Sequence, residues 1–182
     1  SDGDLTVAGT INIGTGTLSA TVDNNNDGDN TLTVSGSPTA GVITLSGGGT
    51  GTNDTIDINE DVTATSGALT IQNADVVDLA GNVDLTGASV AANSNVGTIN
   101  LSGAGTNLVT ATGGSVNLGA VTDSANANLT VSATTDVTLA AVTLAGGGAL
   151  SVTADSDNDS TATLALNGAV TATGVTLSGG GT

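Results

Sequence analysis

Residues 115–135 read SVNLGAVTDSANANLTVSATT, and residues 136–156, which follow directly, read DVTLAAVTLAGGGALSVTADS. The two stretches align without a gap, and their apolar residues stay in register. The matched positions are Val116 with Val137, Leu118 with Leu139, Val121 with Val142, Leu129 with Leu150 and Val131 with Val152. A period of about 21 residues that contains three short strands is the length of one coil of a parallel β-solenoid.

Short bursts of alternating apolar and polar residues run along the whole chain, and Gly, Asn, Asp and Ser separate them. This period of two predicts short strands with turns between them. The abundance of Thr and Val, which are β-branched, also favours strands over helices. Typical bursts are Leu5-Thr6-Val7, Ile11-Asn12-Ile13, Leu32-Thr33-Val34, Ile56-Asp57-Ile58, Leu69-Thr70-Ile71, Val83-Asp84-Leu85, Ile99-Asn100-Leu101 and Val175-Thr176-Leu177.

A longer repeat is superimposed on the coils. Residues 1–50 align without a gap on residues 133–182, and 23 of the 50 positions are identical. We therefore interpret residues 1–182 as one continuous solenoid, with residues 1–132 as one repeat unit and residues 133–182 as the start of a second copy. With coils of about 22 residues the unit would be six coils. We expect the array to continue beyond this stretch.

The predicted fold is an all-β, right-handed parallel β-solenoid with coils of about 21–22 residues and no helices. A narrow solenoid core suits Val, Leu, Ile and Ala, because each side chain stacks on its counterpart one coil away. The absence of Phe, Trp and Tyr agrees with such a core. A string of β-sandwich domains is the alternative, but it does not explain the regular register of the coils.

The composition excludes several functions. The chain has no Lys, Arg, His or Cys, and its formal net charge is −17. Binding to nucleic-acid phosphates or to an anionic membrane surface needs cationic side chains, so we expect neither partner. Thiolate and imidazole metal sites, disulfides and Ser–His catalysis are ruled out. The apolar runs are too short for a membrane-spanning helix, so we expect no membrane insertion.

Phrases such as VTATGG at residues 109–114 and VTLSGGG at residues 175–181 resemble the repeats of filamentous-haemagglutinin-type exoproteins, autotransporter passengers and other bacterial β-strand-repeat surface proteins. The resemblance extends over essentially the whole chain. It implies a right-handed β-helix that is exported to the cell surface and serves as an adhesin, a fibre or a coat.

Two functions therefore compete. The first is an extracellular structural module of a fibre, sheath or cell-surface coat, which associates with itself or continues in a longer tandem array. The second is the stalk of a bacterial adhesin. A polysaccharide-acting β-helix enzyme is a third, weaker alternative, because carboxylate pairs such as Asp57/Asp61 and Asp75/Asp78 are the only available catalytic groups. We expect no enzymatic activity.

The most specific local motif is acidic. Residues 23–29 read DNNNDGD, which matches the start of an EF-hand-like calcium loop, although the Glu expected at its twelfth position is replaced by Val34. Residues 155–160, at the equivalent place in the second repeat, read DSDNDS. Such a stretch is either a solvated acidic corner loop or a calcium site. No cationic side chain can neutralise these acids, and this favours calcium. The predicted ligands are Asp23, Asn25, Asp27 and Asp29 in the first loop, and Asp155, Asp157 and Asp159 in the second.

Overall fold

A computed structural model of the chain describes residues 1–25, 28–48, 53–159 and 162–180, which form twenty strands and no helix. In chain order the strands are β1 (Leu5–Val7), β2 (Thr17–Thr21), β3 (Thr31–Val34), β4 (Thr39–Ala40), β5 (Val42–Ser46), β6 (Thr55–Ile58), β7 (Val62–Ala64), β8 (Leu69–Leu79), β9 (Asp84–Gly87), β10 (Val90–Leu101), β11 (Gly105–Ala111), β12 (Val116–Leu118), β13 (Val121–Asp123), β14 (Ala127–Ala133), β15 (Val137–Leu139), β16 (Val142–Thr143), β17 (Ala149–Thr153), β18 (Leu164–Leu166), β19 (Val170–Thr171) and β20 (Gly174–Ser178). The described residues include no helix long and apolar enough to cross a membrane.

The strands pair in parallel and stack into three faces along the solenoid axis. Face A consists of β2, β5, the first part of β8, the first part of β10, β12, β15 and β18. Face B consists of β1, β3, β6, the last parts of β8 and β10, β13, β16 and β19. Face C consists of β4, β7, β9, β11, β14, β17 and β20.

The chain visits face A, then face B, then face C, and it completes about seven coils. The predicted parallel β-solenoid is therefore confirmed. The β-sandwich alternative is wrong, because a sandwich is built from antiparallel pairs.

The register predicted from the sequence repeat is confirmed for the coils that suggested it. Strands β14 and β17 pair with Leu129 beside Leu150, as in the gapless alignment of the two stretches. Coils near the two ends are longer: β1 and β3 place Leu5 beside Leu32, which are further apart in the sequence than Leu129 and Leu150. The additional residues lie in corner loops, where an insertion leaves the stacking of the strands undisturbed.

The core is a column of small aliphatic side chains between the three faces. Along β14 the inward residues Ala127, Leu129, Val131 and Ala133 are buried, whereas the residues between them are partly exposed. Burial of a Val, Leu or Ile side chain stabilises the fold by about 1.5–3 kcal/mol. The apolar residues of the alternating pattern therefore face the lumen, and the residues between them face solvent.

Asparagine turns the corner between face A and face B. Asn73 in β8 and Asn95 in β10 both have positive φ, 54° and 53°, which Asn tolerates better than most residues. Asn95 Nδ2 donates to Asn73 Oδ1 at 3.1 Å, and Asn73 Nδ2 donates to Ser46 Oγ at 3.3 Å. The corner is therefore a short polar ladder that links successive coils.

The long repeat relates strands with nearly the same bounds but not on the same face. Thus β1, β2, β3 and β5 correspond to β15, β17, β18 and β20. Six coils lead from β1 to β16 on face B, whereas Val137, the counterpart of Leu5 in the long repeat, is in β15 on face A. The repeat is therefore one face short of the six whole coils expected from the average coil length. The division into a unit at residues 1–132 and a second copy at residues 133–182 stays a prediction.

Candidate functional sites: an acidic corner loop and two open ends

The loop after β17 brings together three of the predicted calcium ligands. Asp155, Asp157 and Asp159 each offer a carboxylate oxygen, and these oxygens lie within 4.8 Å of one another. Asp155 is buried, whereas Asp157 and Asp159 are exposed to solvent. Carboxylate oxygens are the ligands that calcium prefers, so the three side chains are able to coordinate one ion.

Backbone hydrogen bonds fix the shape of this loop. Asp155 has a φ of 54°, and its N–H donates to the carbonyl oxygen of Thr135 one coil earlier, at 3.1 Å. The carbonyl oxygen of Asp155 accepts from the N–H of Asn158 at 3.1 Å, and its Oδ1 accepts from the N–H of Asp159 at 3.2 Å. The chain therefore turns back on itself, and the alternate acidic side chains converge.

The convergence of these carboxylates has an electrostatic cost. Partial desolvation, followed by the nearby charges of Asp159 and Asp155, raises the pKa of the Asp157 carboxyl above its usual value. A raised pKa means that the charged form of Asp157 is disfavoured in the folded protein. A divalent cation between the carboxylates would remove this repulsion.

The first acidic loop begins like the second, with a buried aspartate whose φ is positive. Asp23 is fully buried with a φ of 46°, and Asn25 is exposed. Asp29 Oδ1 accepts hydrogen bonds from the backbone N–H of Asn53 at 3.0 Å and from its Nδ2 at 3.4 Å, so it links two coils. Asp27 lies outside the described residues. Since Asp23 and Asp29 are the acids of this loop that the structure describes, the predicted cluster of ligands is not tested here.

Many of the other carboxylates and amides form hydrogen bonds between successive coils. An Asp or Asn at the start of a strand accepts the backbone N–H of a residue in the next coil, which satisfies a donor at a corner where the strand ladder begins. These bonds run from Thr31 to Asp4 at 2.8 Å, from Asp84 to Asp61 at 2.9 Å, from Thr106 to Asn82 at 3.2 Å, from Ala149 to Asn128 at 2.9 Å and from Thr163 to Asp136 at 2.7 Å.

Asp54 is an important residue that sequence reasoning missed. It is fully buried, and its carboxylate accepts the backbone N–H of Asn30 at 3.1 Å and that of Gly48 at 2.9 Å. Its own N–H donates to Asp75 Oδ2 at 3.2 Å in the following coil. The only signal for this role was the position of Asp54 directly before a predicted strand.

The carboxylate pairs considered for catalysis are engaged in similar bonds. Asp61 accepts the N–H of Asp84, and Asp75 accepts the N–H of Asp54. Asp57 accepts from Asn59 Nδ2 at 3.0 Å, and Asp78 accepts from Asn100 Nδ2. Each of these four carboxylates therefore accepts a hydrogen bond within the structure. The absence of enzymatic activity stays a prediction.

The C-terminal end of the solenoid is an uncovered apolar surface. Val175 and Leu177 on β20 are each 48% exposed. Their counterparts in the long repeat, Ile43 and Leu45 on β5, are fully buried because β8 pairs with β5 and covers them. Among the described residues, β18, β19 and β20 each pair with another strand along one edge only.

The N-terminal end is uncovered in the same way. Ile13 is 43% exposed, and Leu5, Ile11 and Leu18 are only partly buried. Within the described part of the chain, the exposed large apolar side chains are Ile13, Val175 and Leu177, all of which lie in the first or the last coil. The exposed apolar surface is thus concentrated at the two ends of the solenoid.

Comparison of the chain with family models, with curated proteins and with solved structures finds no match. The geometry therefore defines a class by fold alone, a three-faced parallel β-solenoid with an acidic corner loop and two apolar ends.

Proposed function

We propose that this protein is a structural module of an extracellular fibre, sheath or cell-surface coat, in which coils stack end to end by self-association or in a longer tandem array. The observation that carries the proposal is the stacking of about seven coils in parallel register around one apolar core, to which a further coil can add in the same way. The strand edges of a coil offer N–H and C=O groups to the strands of the next coil, whether that coil belongs to the same chain or to another.

The energetics of the ends support association. Complete burial of a Val or Leu side chain contributes about 1.5–3 kcal/mol, so burial of the exposed half of Val175 and Leu177 contributes about 1 kcal/mol each. Backbone hydrogen bonds along β18 and β20 would add to this. A head-to-tail contact that does not close on itself produces a linear polymer, which is the form that a fibre needs.

An extracellular location belongs to the same proposal. With a net charge of −17 and no cationic side chain, the chain repels itself in dilute buffer, and an external medium rich in divalent ions would neutralise the repulsion. The absence of Lys and Arg also leaves trypsin-like proteases without a cleavage site. The resemblance to bacterial β-strand-repeat surface proteins agrees with this location.

Self-association is tested by sedimentation velocity on the purified chain at rising concentration. We expect polymers, and we expect Val175→Asp/Leu177→Asp to shift the distribution to monomers because it places two charges on the end surface. Thr130→Asp/Ser132→Asp is the matched control, since it adds the same charge to outward positions in the middle of face C. A chain that remains monomeric at millimolar concentration would contradict the proposal.

As a second part of the proposal, Asp155, Asp157 and Asp159 bind calcium, and the ion stiffens the corner between β17 and β18. The convergence of three carboxylate oxygens and the raised pKa of Asp157 support this assignment. The first loop, with Asp23, Asn25, Asp27 and Asp29, stays a prediction from its motif.

Isothermal titration of metal-stripped protein with calcium tests this assignment. We expect a heat of binding and a rise in melting temperature, both reversed by chelator. Asp157→Asn should remove them if the second loop alone binds, and should reduce the stoichiometry if both loops bind. Glu60→Gln, which removes one exposed charge elsewhere, should leave them unchanged. The absence of a heat of binding, together with an unchanged melting temperature, would contradict the assignment.

A further inference from the structure

One asparagine of the chain is followed directly by a glycine. Of the 18 Asn residues in the sequence, only Asn167 has Gly as its next residue, Gly168. The pair lies between β18 and β19, where the chain passes from face A to face B. An Asn side chain can react with the backbone nitrogen of the residue that follows it, and glycine has no side chain to crowd that nitrogen.

This corner is open to solvent. Asn167 and Gly168 are both exposed, and the end of the described coils is not the reason. In the preceding coil, which β18 and β19 cover, Ala140 and Ala141 at the same corner are partly exposed. Ser35, the counterpart of Asn167 in the long repeat, is exposed although β6 covers its coil. Water therefore reaches this corner whether or not a further coil follows.

The two groups that would react are not held by other bonds. The N–H of Asn167 donates to the carbonyl oxygen of Leu139 at 2.8 Å, which anchors the backbone of the corner. Among the described residues, the side-chain amide of Asn167 has no hydrogen-bond partner, and neither has the N–H of Gly168. The amides of Asn95 and Asn128, by contrast, bond to a neighbouring coil. The Asn167 side chain is therefore free to turn toward the nitrogen of Gly168.

We propose that Asn167 is a site of spontaneous deamidation. The backbone nitrogen of Gly168 loses its proton to the solvent and bonds to Cγ of Asn167, and the side-chain nitrogen leaves as ammonia. The product is a cyclic succinimide. Water opens this ring at either carbonyl carbon, which gives aspartate or isoaspartate. The net reaction consumes a water molecule and releases an ammonia molecule, and it needs no oxidant or other co-reactant.

The reaction places a carboxylate where the chain has none. Residues 160–182 contain no acidic or basic residue, whereas the whole chain has a formal net charge of −17. Deamidation therefore extends the negative charge to the last described coil and adds to the self-repulsion of the molecule.

Isoaspartate has a second effect, because it adds a carbon atom to the backbone. The corner has little room for a longer chain: a Cβ at Gly168 would lie 2.6 Å from the backbone nitrogen of Ala141 in the preceding coil. The extra atom therefore displaces Val170, which pairs with Val142. We expect the pairing of β19 with β16 to weaken in the isoaspartate form.

Ageing of the purified, folded chain in neutral and in alkaline buffer tests the proposal. Elastase digestion and mass spectrometry then locate the change, since trypsin has no cleavage site in this sequence. We expect the peptide that contains Asn167 to gain the mass difference between OH and NH2, and to gain it faster in alkaline buffer because the nitrogen must lose its proton. In water labelled with heavy oxygen the product should carry the label.

Asn93 is the internal control, since it is exposed at the same corner of an earlier coil but precedes Ser94. We expect Asn93 to deamidate at least about tenfold more slowly than Asn167, because the Ser94 side chain crowds the backbone nitrogen. Asn167→Gln should remove the reaction, since its longer side chain does not form the same ring. Asn167→Asp adds the charge without the additional backbone atom, so hydrogen exchange in β19 should be faster in the aged chain than in this variant.

Three outcomes would contradict the inference. If Asn167 stays unmodified in the folded chain, whether or not it reacts in urea, the proposal is overturned. Equal rates at Asn93 and Asn167 would overturn it as well, because the glycine would then have no effect. Equal hydrogen exchange in the aged chain and in Asn167→Asp would overturn the displacement of β19 and leave the deamidation standing.

Discussion

At the scale of single residues, Asp54 is a side chain that links adjacent coils. Its buried carboxylate accepts the backbone N–H of Asn30 in the preceding coil and that of Gly48 in its own corner loop, and the N–H of Asp54 bonds to Asp75 in the following coil. A buried donor that loses its acceptor retains the full cost of its desolvation.

We therefore expect Asp54→Ala to lower the free energy of unfolding by about 3 kcal/mol, because the N–H groups of Asn30 and Gly48 lose their acceptor. Asp57→Ala, which removes an outward carboxylate on β6, should cost less than about 1 kcal/mol. Urea unfolding followed by circular dichroism measures both. Equal losses for the two variants would contradict the role of Asp54.

The contribution of the acidic loop to the stability of the fold should depend on pH. Since the pKa of Asp157 is raised in the folded state, its contribution to stability is fully present below the unfolded pKa and is lost as the pH rises through the folded pKa. In chelator at pH 7, Asp157→Asn should raise the melting temperature by up to about 2 °C. The gain should disappear at pH 3, where the native Asp157 is protonated.

Glu60→Gln is the control for this effect, since it removes one exposed charge outside the loop. A melting temperature that rises equally in both variants would mean that net charge, not local repulsion at Asp157, is responsible. A fall for Asp157→Asn in chelator would contradict the raised pKa.

At the scale of elements, the strands were predictable and the corners were not. Alternation of apolar and polar residues located β12, β14, β15 and β17, and the sequence repeat predicted their register, because inward side chains must stack on inward side chains. Corner loops obey no such rule. Their hydrogen bonds depend on which backbone groups the next coil presents, so Asp54 and the bond from Asn53 to Asp29 could not be foreseen.

The acidic loops illustrate the same limit. The motif in residues 155–160 predicted that three carboxylates come together, and the side chains of Asp155, Asp157 and Asp159 do so. The motif in residues 23–29 stays a prediction, because Asp27 lies outside the described residues, although Asp29 bonds to Asn53 in the next coil. Sequence spacing places ligands along the chain, but it does not indicate which of them bond to a neighbouring coil.

Close stacking of coils gives a prediction for glycine. A Cβ at Gly148 would lie 1.9 Å from the carbonyl oxygen of Ala127 one coil earlier, whereas a Cβ at Gly174 would meet nothing closer than the side chain of Ala149 at 3.8 Å. We expect Gly148→Ala to destabilise the fold by about 3 kcal/mol or more and Gly174→Ala to be nearly neutral. Thermal melting of both variants checks this, and a neutral Gly148→Ala would disprove the close approach.

At the scale of the whole molecule, the number of faces that one long repeat spans determines the direction in which its loops point around the solenoid axis. The number of residues in the repeat does not determine it. The long repeat was visible in the sequence, but its coil count depended on loop lengths that vary from corner to corner. Only the strand pairing reveals that β15 repeats β1 on another face. Equivalent loops of such a repeat therefore point in different directions around the axis.

The charge of the molecule predicts a dependence on salt. All charged side chains are acidic, and none is paired with a cationic side chain. Screening shortens the Debye length from about 30 Å at 0.01 M salt to about 8 Å at 0.15 M, so the melting temperature should rise over this range. Calorimetry in NaCl, with chelator present, measures the effect, and a melting temperature that falls with added salt would be inconsistent with a chain limited by self-repulsion.

Fibre diffraction from aligned, concentrated protein tests the central claim most directly. If the solenoids stack end to end with their strands perpendicular to the fibre axis, the pattern has a meridional reflection at about 4.8 Å, and electron micrographs of the same material contain continuous unbranched filaments. Isolated particles about seven coils long, roughly 34 Å, with no oriented reflection at about 4.8 Å would contradict the account.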